Sequence, residues 1–170
     1  MDLDITKMPA DTKPFKVLKA DLIRMKSTPV DLSGGVTPEM VEVLWRMVQT
    51  CMQDKGVGLA APQVGIFKRL IVTKVLHREG IYRAYINPSW KPSFGAEKVK
   101  DVEGCLSVPN RALKIERFDS VTAAHWEFVG GKPEQVFVAL DSLPARIFQH
   151  EVDHLSGLTI LDRHAQQRKT

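Results

Sequence analysis

The feature that most constrains the fold is a pair of similar helix starts with a long block of strand-like sequence between them. Thr37-Pro38-Glu39 offers a capping residue, a proline and an acid in the order that a helix N-terminus accepts. Asp141-Ser142-Leu143-Pro144 repeats the cap-then-proline signal far down the chain. The first predicts a helix from residue 37 to about 55, on which Met40, Leu44, Met47, Val48 and Cys51 recur at spacings of three and four. That stripe would lie against a core and bury Cys51. The second predicts a helix over 143–156, closed by Gly157. Between them, residues 69–75, 81–86, 113–117, 120–128 and 135–140 are rich in β-branched and aromatic side chains and are separated by turn formers, as short, mostly antiparallel strands would be. A helix, a block of strands and a second helix make an α+β domain rather than a series of βαβ units.

With 170 residues, 44% of them hydrophobic, the chain has the material for one core and is read as one domain. Residues 1–36, interrupted by Pro9, Pro14, Pro29 and Gly34-Gly35, are expected to form an irregular arm; residues 37–162 are the core and 163–170 a short tail. The formal charge is +4, but the basic residues are scattered, which argues against a nucleic-acid footprint. Two cysteines, Cys51 and Cys105, fall far short of a disulfide scaffold. No apolar run reaches membrane-spanning length, and the acidic start is unlike a leader peptide, so a soluble, cytoplasmic protein is expected, with no membrane partner.

Chemistry concentrates in Gln149-His150-Glu151-Val152-Asp153-His154-Leu155 on the second helix. His150 and His154 are four residues apart, about 6 Å along a helix axis, so both can reach one metal ion. Glu151 follows the first ligand around the helix, where a carboxylate can serve as a proton shuttle without being a ligand. The bland alternative is an accidental spacing on a solvated helix. A catalytic site of this kind usually takes three protein ligands. His77, His125 and His164 have no neighbouring motif, and Cys105, next to Gly104, is the better third donor; taken alone, it reads more simply as a small buried residue.

A third segment, Gly56-Val57-Gly58-Leu59-Ala60-Ala61-Pro62-Gln63-Val64-Gly65, lets backbone approach a ligand closely. It imitates a dinucleotide fingerprint, but it follows a helix and precedes a strand, the reverse of what that motif needs. Taken together and in this order, GVGLAAPQ, EGCLS and QHEVDHL resemble the signature motifs of the peptide deformylases. The resemblance extends from about Thr37 to Asp162, with looser agreement at Ile86-Asn87-Pro88, Arg117 and Ala145-Arg146.

The resemblance implies a hydrolase that removes the formyl group from N-formylmethionyl peptides and releases formate. Cys105, His150 and His154 would hold one divalent metal ion, Fe(II) first, with Zn, Ni or Co as alternatives. Glu151 would carry the proton, while Gln63 and the backbone N–H of Leu106 would stabilise charge on the formyl oxygen. Leu143 and Ile147, seven and three residues before His150, together with Val57 and Gly58, are expected to wall a pocket for methionine. Ordinary core roles for Leu143 and Ile147 are equally consistent with the sequence. Asp153 and Arg146 stay outside the catalytic set, the latter with Glu42 or Glu103 as candidate partners.

The chain departs from the family pattern at Ser142, where Gly is common, and at Pro144, where an apolar residue is common. Sixteen residues follow His154, which fits a compact, viral-type member; the ribosome exit region is then a partner reached without the long C-terminal helix of larger members. Two rival readings are a zinc endopeptidase, for which only Asp162 and His164 could complete the ligands, and a non-catalytic module that binds formyl peptides.

Overall fold

The computed structural model describes residues 1–168. Helix α1 spans Pro38–Gln53, α2 spans Ser142–Leu155 and α3 spans Ile160–Gln167. The strands are β1 (Asp2–Asp4), β2 (Gly58–Ala60), β3 (Leu70–Lys74), β4 (Ile81–Pro92), β5 (Lys98–Cys105), β6 (Val108–Phe118), β7 (Ser120–Val129) and β8 (Lys132–Asp141). The main sheet has the order β2-β3-β4-β7-β8, with β1 added to β4, and β5 pairs with β6 in a separate ribbon. All of these pairings are antiparallel, as the α+β expectation required.

The strand period of two assigns the two faces of the sheet. On β3, Leu70 and Val72 join the cluster around α1, with Leu44, Met47, Val48 and Cys51, whereas Ile71 between them joins Phe148, Val152 and Leu155 of α2. On β4, Ala84 and Ile86 face the first cluster and Tyr85 the second. Helix α1 starts as expected, with Thr37 Oγ1 accepting from the Met40 N–H at 3.2 Å. Helix α2 touches β2, β3, β4, β6, β7 and β8. It ends where Gly157, at φ +74°, lets the N–H groups of Gly157 and Leu158 bond back to His154 and Asp153. A Cβ at that position would collide with the backbone oxygen of Arg24.

Several elements differ from the sequence reading. Strand β4 runs on to Pro92 because Asn87, at φ +49°, carries it through a register shift where a turn was expected. The Asn87 side chain accepts from Val30 N–H at 2.7 Å and donates to Val30 O at 3.0 Å, which pins the arm. Strand β5 was not predicted, since seven of its eight residues are not buried and it carries no apolar alternation. The arm is not wholly irregular: β1 joins the sheet, with Leu3 opposite Tyr82. Its Leu18, Ala20 and Ser27 N–H groups bond the carbonyls of Gln63, Ser107 and Leu155. The tail expected from residue 163 is instead the body of α3, capped by Thr159 and seated by Ile160 against Val108 and Ile115. Residues 169–170 of that expected tail lie outside the described residues. Among the described residues, no helix is long and apolar enough to cross a membrane.

Candidate active site

Helix geometry puts His150 and His154 on one face of α2, with their Nε2 atoms 3.2 Å apart. Cys105 reaches them from the end of β5, where the register with β6 shifts between Gly104 and Cys105. Its Sγ lies 3.4 Å from His154 Nε2, and the three donor atoms all lie within 4.8 Å of one another. Cys51 is elsewhere, buried in the α1 cluster with its thiol pushed up to about 12 by burial. His125 is buried beside Glu127, and His164 faces the Lys114 carbonyl, so neither joins the group.

The outer nitrogens decide what the inner ones can do. His154 Nδ1 lies 2.9 Å from Leu158 O, which can only accept, so Nδ1 carries the proton. His150 Nδ1 lies 3.0 Å from Glu103 Oε2. Burial would raise the Glu103 pKa, but hydrogen bonds from His150 and Arg117 and the Arg117 charge hold it at about 2, so this partner too is an acceptor. Both Nε2 lone pairs therefore face each other and a thiol across a gap that needs a positive charge. Burial opposes protonation of His150, but the hydrogen bonds to Cys105 and Glu103 and the nearby Glu151 charge raise its pKa above the ordinary imidazole value. Burial and the charge on His150 push the pKa of its neighbour His154 down. A soft thiolate with two imidazoles is a donor set that fits a divalent transition metal.

Glu151 is buried and stands beside the cluster. Its Oε2 has no hydrogen-bond partner among the described residues, and burial raises its pKa to about 7 against the pull of the His150 and Arg117 charges. Gln63 is buried opposite: its Oε1 accepts from Ala60 N–H at 2.9 Å, and its Nε2 donates to Ser107 Oγ at 3.2 Å and lies 3.9 Å from Cys105 Sγ. Leu106 occupies the turn that follows Cys105. Cys105, His150, Glu151, Gln63 and Leu106, but not His154, line one cleft of about 710 Å³, as do Val57, Gly58, Leu143 and Ile147. Ile147 is also buried, whereas Leu143 is 50% exposed and thus not a core residue.

The support beneath Cys105, His150 and His154 was only partly anticipated, in the Arg146–Glu103 pairing. Arg117 donates to both Glu103 oxygens, at 2.6 and 2.9 Å, and to Asp153 at 2.9 Å. Arg146 pairs with Glu103 rather than Glu42, and also donates to the carbonyls of Ile115 and Val99, tying α2 to both strands of the β5–β6 ribbon. The signals were present, since Glu103 lies inside the Cys105 motif and Arg117 was noted, but only the three-dimensional path joins them.

A thiol and two imidazoles converging beside a buried carboxylate in an open cleft define the site of a metal-dependent hydrolase. Residues 12–170 match the family described as polypeptide deformylase. A peptide deformylase of Halothermothrix orenii is 38% identical over 142 residues, covering 84% of this chain and 86% of its own length. A Synechococcus elongatus peptide deformylase solved in complex with actinonin superposes with a TM-score of 0.77 at 32% identity, covering 93% of this chain and 82% of that one. A class I type b peptide deformylase from Acinetobacter baumannii, solved with Met-Ala-Ser bound, gives a TM-score of 0.77 at 29% identity, covering 89% of this chain and 99% of that one. The chain belongs to the polypeptide deformylase family, metal-dependent hydrolases that remove N-formyl groups from nascent polypeptides.

Proposed function

We propose that Cys105, His150 and His154 hold the metal of this deformylase and that Glu151 is its proton carrier. The observation that carries the reading is the convergence of Cys105 Sγ and the two Nε2 atoms, with both Nδ1 atoms committed to acceptors. When bound, a divalent ion, Fe(II) in our reading with Zn, Ni or Co as substitutes, acidifies water and polarises the formyl group. Glu151 Oε2, buried and unpartnered, takes the proton of the attacking water and returns it to the leaving amine. Gln63 is held by Ala60 in the orientation that points its NH₂ towards the thiol side of the cleft; it and the Leu106 N–H donate to the formyl oxygen as charge develops there.

The substrate in this reading is an N-formylmethionyl peptide, with the methionine side chain against Val57, Gly58, Leu143 and Ile147. The reaction is placed in the cytoplasm, where nascent chains are made and the Cys105 thiol stays reduced. The test is formate release from formyl-Met-Ala-Ser by anaerobically prepared wild type and Glu151→Gln, with metal content quantified in each. Loss of about 10²–10⁴-fold in kcat at unchanged metal content is expected. Equal rates in the two proteins would remove Glu151 from the proposed role.

A further inference from the structure

We propose that Arg163, on α3, is a positioning residue for the metal-holding set, acting on His150 through Asp153, Arg117 and Glu103. Arg163 grips Asp153 with two nitrogens: Nε donates to Oδ2 at 2.8 Å and Nη2 donates to Oδ1. Asp153 Oδ2 also accepts from Arg117 Nη1 at 2.9 Å, so the same carboxylate is held from two sides. Arg117 in turn donates to both oxygens of Glu103, and Glu103 Oε2 accepts from His150 Nδ1. Every link after Arg163 is buried; the side chains of Arg117, Glu103 and Asp153 are 3%, 5% and 5% exposed. Water cannot substitute for a partner among these three buried links, so a displacement of Asp153 at the end where Arg163, 31% exposed, grips it is passed on rather than absorbed.

Arg163 itself is set by the docking of α3. Ile160 is buried against β6, and the Gln167 side chain donates to Glu116 O and accepts from Glu116 N–H, both at 2.8 Å. The helix thus presents one guanidinium to the underside of the site without touching the cleft. Fixing His150 Nδ1–H against Glu103 Oε2 fixes the ring orientation and the tautomer that leaves Nε2 free, which is how outer partners set ligand quality in metal sites.

The inference rests on the ligand set proposed above. Its test is anaerobic Co(II) titration of wild type, Arg163→Ala, Arg163→Lys, Glu103→Gln and the Arg163→Ala/Glu103→Gln double variant, read by the Co(II) absorption spectrum and by chelator competition. Arg163→Ala is expected to weaken Co(II) about 10- to 100-fold and shift the spectrum. Arg163→Lys should recover part of the loss, and the double variant should be no worse than Glu103→Gln alone. Wild-type affinity and spectrum in folded Arg163→Ala, or additive losses in the double variant, would overturn the proposal. If Arg163→Ala fails to fold, Arg163→Lys decides, because one ammonium cannot reproduce a two-nitrogen grip and a wild-type result there overturns it as well. Wild type that binds no Co(II) overturns both this proposal and the ligand set, whereas binding wild type with indistinguishable variants overturns only this one.

Discussion

Glu151 and Gly58 touch so closely that a Cβ on Gly58 would stand 2.5 Å from Glu151 Oε1. The backbone of β2 is therefore the surface against which the carboxylate is aimed, and glycine is required there for space rather than for a left-handed backbone. Gly58→Ala must push Glu151 away, because Gly58 is held in the β2–β3 pairing opposite Thr73. We expect at least a tenfold fall in kcat/KM on a formyl-Met peptide, equivalent to about 1.4 kcal/mol or more, with metal content unchanged. Steady-state kinetics with parallel metal analysis checks it, and wild-type kcat/KM would show that the contact does not position the carboxylate.

The buried Glu103 makes stability of the metal-free protein depend on acid pH. Its pKa falls from an ordinary 4.5 to about 2, so its contribution is fully present above about pH 4.5 and is lost as pH drops towards 2. The linked free energy is on the order of 3 kcal/mol. Urea midpoints of wild type and Glu103→Gln should therefore differ most above pH 5 and converge as the pH approaches 2. A difference independent of pH would mean that Glu103 acts through packing alone.

Much of the site was legible because helical spacing is a local property: His150, Glu151 and His154 fall on adjacent positions of one helix whatever surrounds them. The β5–β6 ribbon was not, because an exposed two-stranded element has no buried face to write an apolar alternation into its sequence. Its turn with Cys105 was found through motif resemblance, not periodicity. The supporting charges were hidden for a third reason. Glu103, Arg117, Asp153 and Arg163 come from four different elements, and only the sheet geometry brings them into line. Likewise α3 was mistaken for a tail because its short apolar stripe makes sense only against β6.

Leu143 and Ile147 line the cleft one helical turn apart, the first half-exposed and the second buried. A bulky ring at Leu143 should fill the proposed methionine site while leaving Ile147 and the core behind it undisturbed. Leu143→Trp is expected to raise KM for formyl-Met-Ala-Ser about tenfold or more, with a smaller effect on thermal stability than Ile147→Ala, for which about 2–4 kcal/mol is expected. An unchanged KM would move the methionine site elsewhere in the cleft.

Ser142 opens α2 at φ +51°, a left-handed conformation that glycine adopts without a Cβ penalty. Its N–H is held by Asp119 O at 2.7 Å, so the backbone cannot relax to a more ordinary angle. Ser142→Gly should stabilise the protein by about 0.5 kcal/mol, the relief of strain being partly offset by the extra freedom of glycine in the unfolded chain. Ser142→Val should cost about 1–3 kcal/mol, since a β-branched side chain is least tolerant of this region. Urea denaturation of the three proteins gives both signs, and a valine variant as stable as wild type would show that the start of α2 is free to move.

Removing the metal should do more than stop the reaction, because the ion would tie α2 to the β5–β6 ribbon through His150, His154 and Cys105 at once. Binding to the folded state alone stabilises it by RT ln(1 + [L]/Kd), so chelation should lower the thermal midpoint and restoring Ni or Co should raise it again. The thiolate that suits the site to a soft ion also exposes it to oxidation. Iron-loaded protein is accordingly expected to lose activity in air faster than nickel- or cobalt-loaded protein. Cys105→Ser should bind any of these ions more weakly, while Cys51→Ser, altered in the α1 core, should keep wild-type metal affinity. Metal analysis after dialysis against a graded chelator series separates the two cysteines, and equal retention in both variants would take Cys105 out of the ligand set.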